Sequence, residues 1–156
     1  MKAELVSAPT PDRDAKSEAN EAVVQRFYEV VWNAWRLDVA DGVVAESVRF
    51  RGSLGSTANG LEEFKSYVET VRGAFPDWHN RIDEVLSAGD RVVTRMTWSG
   101  THQGRLGGIE PTGARVEYCG AAFFRLSEGR IEEAWVVGDT QELWRALGVP
   151  PGTYQA

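Results

Sequence analysis

The spacing of apolar residues changes once along this chain, at FPDWHN (residues 75–80), and that break restricts the fold more than any other feature. Ahead of it the spacing is helical. Behind it apolar and polar residues alternate, as in strands with one buried face. In SEANEAVVQRFYEVVWNAWR (17–36), Val23, Phe27, Val30, Val31 and Ala34 fall on one side of a helix that starts around Ser17, Asn20 and Glu21. DVADGVVAE (38–46) predicts a short second helix capped by Asp38, and SVRFRGS (47–53) a short strand entering a Gly/Ser loop. GLEEFKSYVETVRGAF (60–75) predicts a third helix with the stripe Leu61, Phe64, Tyr67, Val68 and Val71, stopped by Pro76. Residues 81–104 then alternate and break at Ala88-Gly89-Asp90, a hairpin signal. Residues 114–139 repeat the pattern with a turn at Ser127-Glu128-Gly129. TQELWRALG (140–148) closes the chain as a helix ended by Gly148. Helices first and strands after make an α+β domain, a curved antiparallel sheet packed against segregated helices.

The 156 residues suit one domain with one core, read here as residues 19–156 behind a polar N-terminal arm, 1–18. The net charge of -6 and a pI near 5.0, with the basic residues scattered, argue against a nucleic-acid partner. One cysteine, Cys119, permits no intrachain disulfide, and with two histidines it makes a poor metal set, so no metal is expected. No stretch has the length of a membrane span or of a signal-peptide core, which leads to the expectation of a cytoplasmic protein without a membrane partner.

The pieces FPDW, GDRVV, GTHQG, GGIEPTG, FFRLSEGRI, Trp135, Asp139 and LWRALG stand in an order and spacing that resemble the SnoaL-like polyketide cyclase family, in the cone-shaped superfamily named for nuclear transport factor two. The resemblance covers most of the chain from Phe75 onward. It implies a strongly curved antiparallel sheet forming a cone or barrel under the N-terminal helices, with an internal cavity. It also implies homodimers and the tailoring of aromatic polyketides without metal or organic cofactor. One branch of the family closes a ring by aldol addition, using an acidic residue on a late strand. Another adds oxygen to a related ring system, with a separate reductase.

Carried over by position, the late strand departs from the cyclases. Trp135 matches, but the family's His position holds Ala134 and its catalytic Asp position holds Val136. On the preceding strand, Gly120 and Ala122 stand where cyclases place polar side chains. Residues of one parity share a sheet face, so Gly120, Ala122, Ala134 and Val136 imply a cavity that is wide and apolar where a cyclase is polar. The alternative is a face packed with small residues against the first helix. By the same parity Trp135 faces away, toward a dimer interface or an outer layer.

Asp139-Thr-Gln-Glu142 spells a capping box, so Asp139 is read first as a helix cap and second as a relocated acid. His102 in GTHQG has the chemistry of an acid or base near neutral pH, against a loop-fixing role. Arg51 ends the early strand near a position that faces the cavity in the family, which implies a charge placed to polarise a quinone oxygen, against a surface arginine. Tyr118 shares the face of Gly120 and can protonate a phenolic oxygen. Trp32, Trp78 and Trp98 suit a flat polycyclic ligand. Asp77 is read as turn chemistry. The expected function is hydroxylation of a polycyclic aromatic or quinone intermediate. The alternatives are an aldol cyclase using His102 or Asp139, and a polyketide-binding protein without turnover.

Overall fold

The computed structural model describes residues 15–151 and Thr153. The first helix, α1 (Ala15–Arg26), is already formed within the stretch read as an N-terminal arm; residues 1–14 of that arm lie outside the described residues. Ser17 does not cap it. Its hydroxyl accepts the Gly89 N–H at 3.0 Å, Asn20 donates to the Gly89 carbonyl at 2.9 Å, and Ser87 donates to Glu21 at 2.5 Å, so α1 is tied to a distant hairpin. The chain continues into a π-helical stretch, Phe27–Asn33, a wider turn common at functional sites. Two residues beyond its end stands Trp35, a non-glycine residue with φ of 55°.

A 3₁₀ turn at Leu37–Val39 and a short α2 (Ala40–Val43) follow, with Asp38 paired to Arg36 instead of capping. Then come β1 (Val44–Arg51), β2 (Thr57–Asn59) and α3 (Leu61–Ala74). The remainder is β3 (His79–Ala88), β4 (Arg91–Thr101), β5 (Arg115–Ser127), β6 (Arg130–Gly138) and α4 (Thr140–Leu147). Both expected hairpins form. Glu128 and Gly129 take φ of 50° and 74°, the double left-handed turn that suits the twist of two-residue hairpins.

The sheet order is β2-β1-β6-β5-β4-β3. Two expectations need correction. The sheet is mixed, because β1 runs parallel to β6, with Phe50 opposite Ala134 and Arg51 opposite Trp135. It is also an open six-stranded sheet rather than a closed barrel. The parallel pair arises because β1 is delivered to the sheet by the helices, not by a hairpin from β6.

Inner and outer faces follow parity, with one slip on β6 at the bulge that sets Leu126 opposite Ile131. On β5, Val116, Tyr118, Ala122, Phe124 and Leu126 are buried, and on β6 Ile131, Ala134 and Val136. The helices cover this face: Phe27 stacks on Phe64 at 5.5 Å and meets Phe124 edge-on at 5.7 Å. The outer face leaves Phe123, Trp135 and Val137 exposed.

Candidate active site

Between the helices and the inner face lies a cavity of about 60 Å³. Its deep wall comes from Phe27, Tyr28 and Trp32 of the π-helical stretch, Phe50 of β1, Asn80 of β3, Trp98 of β4, Tyr118 of β5, Val136 of β6 and Leu143 of α4. The half-buried lining residues Ser53, Leu54, Tyr67, Val71 and Trp78 mark the solvent side. There the chain turns tightly, with Gly52 N–H bonded to the Ser56 carbonyl at 2.9 Å. A side chain at Gly52 would collide with the Tyr67 hydroxyl, 2.2 Å from a built Cβ, so glycine lets that phenol reach the loop.

The polar groups on this surface are neutral. Tyr118 Oη lies 2.8 Å from Ser53 Oγ, and burial pushes the Tyr118 phenol up to about 12, against the lowering effect of the Ser53 bond. Burial raises the Tyr28 phenol as well. Both are therefore proton-bearing donors at neutral pH. Asn80 is oriented by Asn33, whose Oδ1 accepts its backbone N–H at 2.8 Å and its side-chain N–H at 3.1 Å. The Trp32 indole N–H is buried without a hydrogen-bond acceptor.

Of the residues singled out in the sequence, Tyr118, Trp32, Trp78, Trp98 and Val136 line the cavity together. The others stand elsewhere. Arg51 alternates outward from Phe50. It donates to the Val136 carbonyl at 2.7 Å and lies over the Trp135 ring at 5.0 Å, on the outer side. His102 is wholly buried and fixes a loop: Thr112 N–H donates to Nδ1 at 3.2 Å, Gly113 N–H donates to its carbonyl, and Phe75 packs on its ring at 5.3 Å. Burial holds its pKa below the ordinary range, which keeps the imidazole neutral. Asp139 is exposed and caps α4, accepting the Glu142 N–H. Asp77 accepts from Thr101 N and Oγ1 at 2.7 and 2.8 Å, the structural role read for it.

The expected width is also absent. Ala122 and Ala134 are core residues that do not line the cavity. Gly120 leaves no open space: a Cβ there would lie 2.0 Å from the Val137 carbonyl oxygen, 2.6 Å from Gly138 Cα and 2.7 Å from Trp98 Cζ3. The space at the Gly120–Gly138 pair is taken by β6 backbone, Trp98 and Tyr118. The pattern did not point to Ser53 or Asn80, which sit at a loop and a strand end where no period applies. Tyr67 and Phe27 were legible only as members of helical stripes. Among the described residues no group of three or more His, Cys, Asp or Glu is placed to hold a metal ion, and no helix is long and apolar enough to cross a membrane.

The family model for SnoaL-like polyketide cyclase matches residues 22–147. Among solved structures, the chain is similar to a candidate SnoaL-like polyketide cyclase from Jannaschia sp. CCS1, at 23% identity over 90% of this chain and 99% of that one, with a TM-score of 0.82. It is similar to AclR, a candidate hydroxylase from Streptomyces galilaeus, at 24% identity over 89% and 87%, TM-score 0.74. It is also similar to IdmH, a candidate polyketide cyclase from Streptomyces antibioticus, at 24% identity over 83% and 99%, TM-score 0.72. Likeness at these identities shows the fold. No curated protein matches the chain in sequence.

Proposed function

Because the chain belongs to the SnoaL-like polyketide cyclase family, we propose that it is a tailoring enzyme that adds oxygen to an aromatic polyketide instead of closing a ring by aldol addition. One observation carries this choice: among the described residues no carboxylate, histidine, lysine or arginine lines the cavity, whose polar groups are tyrosines, Ser53, Asn80 and tryptophan indoles. Aldol closure needs a base to take a proton from carbon, best with a pKa near the working pH. A phenol held near 12 is a poor base at neutral pH and a good hydrogen-bond donor. Both reactions are named among the similar structures, so the choice rests on the cavity.

Hydroxylation asks less of the protein. An electron-rich phenolate or hydroquinone supplies the electrons that reduce dioxygen. One oxygen atom enters the ring and the other leaves as water. That balance consumes two electrons and two protons, from the hydroquinone itself or from a separate reductase. Tyr118 and Ser53 then hold a ring oxygen and stabilise its negative charge, and the apolar wall excludes water from the reacting carbon. An uncharged cavity also suits a protein that binds a polyketide without turnover, and this is the second reading. The homodimer belongs to the proposal too. Phe123, Trp135 and Val137, exposed by 45%, 42% and 41%, form an apolar strip on the outer sheet face for a second copy to cover.

The deciding experiment is product mass after incubation with hydroxylated anthraquinone and naphthalene-type substrates, with and without air and a reducing system. A product that has gained one oxygen atom, and has also lost two hydrogens where the substrate itself supplied the electrons, formed only in air, supports the proposal. An isomer of the substrate formed without oxygen overturns it in favour of a cyclase. Binding with no product selects the second reading.

A further inference from the structure

The residue that limits how far a ring can enter the cavity comes from β4. Trp98 is 4% exposed and stands opposite Tyr118 across the β4–β5 ladder, with ring centroids 5.2 Å apart. Its Cζ3 edge lies over two glycines, paired with each other, on the neighbouring strands. A Cβ on Gly120 would meet that atom at 2.7 Å and a Cβ on Gly138 at 3.0 Å. A Cβ on Gly120 would also meet Val137 O at 2.0 Å, and one on Gly138 would meet the Tyr118 ring at 3.0 Å, so the indole closes this part of the sheet wall together with Tyr118 and the β6 backbone.

The two ends of the cavity differ in how they can yield. The solvent side is a short loop, Gly52–Ser56, whose Ser53 and Leu54 side chains are only half-buried. The sheet side is hydrogen-bonded strand backbone on which the indole rests. The volume of about 60 Å³ is below the roughly 150 Å³ that admits a benzene ring. A larger ring system needs room on the solvent side, where the wall is a loop and not sheet or helix backbone. An occupant thus gains room at the rim and stops at Trp98.

We infer that Trp98 is a specificity-determining residue, and that the site takes a mono- or bicyclic phenolic ring system in preference to three or more fused rings. This rests on the reading that the cavity is the substrate site. It narrows the substrate class from polycyclic aromatics to naphthalene-sized ones. The phenolic oxygen is held at the Tyr118–Ser53 pair, and the far edge of the second ring abuts the indole.

The test is equilibrium binding of 1-naphthol and 1-hydroxyanthraquinone to the full chain and to its Trp98→Leu variant, by titration calorimetry. Trp98→Phe, a smaller change, serves if the leucine variant does not unfold cooperatively. The wild-type chain is expected to prefer 1-naphthol by about tenfold or more, a discrimination ordinary for a steric wall in an apolar pocket. Either variant should lose or reverse that preference through tighter binding of the larger ligand. Equal binding of both ligands by the wild-type chain overturns the inference but leaves the cavity as an aromatic site. An unchanged preference in both variants does the same. Failure of both ligands to bind either protein overturns the cavity reading, and the inference with it.

Discussion

Replacing Val136 by aspartate puts a carboxyl group on the cavity wall at the strand position where the family's cyclases carry their acid. Val136 is 8% exposed and faces inward on β6, opposite Ala122. The two side chains have similar size, so no large cavity term arises. The cost is lost apolar burial, about 1.5 kcal/mol at the low end, plus about 1–3 kcal/mol for an unpaired polar group. Desolvation raises the folded-state pKa of such a carboxyl. A rise of about 3 units brings it to roughly 7, from about 3.9 in the unfolded chain. The sign follows from proton binding. Between these values the folded state holds the proton and the unfolded state has released it, so stability falls as pH rises and levels off above the folded pKa. From pH 5 to pH 8 the loss is about 2.6 kcal/mol, or about 5–10 °C in the melting midpoint of a chain this size. Thermal unfolding of wild type, Val136→Asp and the non-titrating Val136→Asn at pH 5 and pH 8 checks this. The aspartate variant should fold at both pH values, with a deficit that widens at pH 8, while the asparagine deficit stays constant. An aspartate deficit equal at the two pH values would mean a hydrated carboxylate, and the dry, apolar wall on which the hydroxylation proposal rests would be refuted.

Gly120→Ala should lower stability by about 1–3 kcal/mol, because the added Cβ meets the Val137 carbonyl oxygen at 2.0 Å and Gly138 Cα at 2.6 Å, both backbone atoms; a neutral melting curve would mean that the space above Gly120 is open. Tyr118→Phe removes the Ser53 hydrogen bond and should cost about 1 kcal/mol of stability while cutting turnover on a phenolic substrate by a larger factor; unchanged kcat and KM would remove Tyr118 from the site. Asp139→Ala should cost about 0.5–1 kcal/mol, its cap bond to Glu142 N being long at 3.4 Å, with turnover intact; loss of turnover in a folded variant would restore Asp139 as the relocated acid.

The faces of the sheet were legible from the sequence, and distances across it were not. Alternation in β5 and β6 placed Tyr118 and Val136 inside and Trp135 outside, and the structure agrees at each position. The same alternation in Val48-Arg49-Phe50-Arg51 assigns Arg51 to the outer face with Arg49, as found. Reading Arg51 as a cavity residue set a family position above the parity of its own strand. The wide pocket failed for a different reason. Small residues at Gly120 and Ala122 establish only that those side chains leave room. Whether the room stays open depends on what another strand directs into it, and that is fixed by the β4–β5 register, which pairs Trp98 with Tyr118. That register follows from hairpin geometry and from a long loop, residues 102–114, whose length does not reveal where pairing resumes. The parallel β1–β6 contact is likewise non-local, so the meeting of Ser53 with Tyr118, 65 residues apart, could not be read from either segment. Ser53 faces the cavity only because β1 lies beside β6. A change that shifts the β1 bulge between Val44 and Arg49 should therefore uncouple Ser53 from Tyr118 without touching either residue.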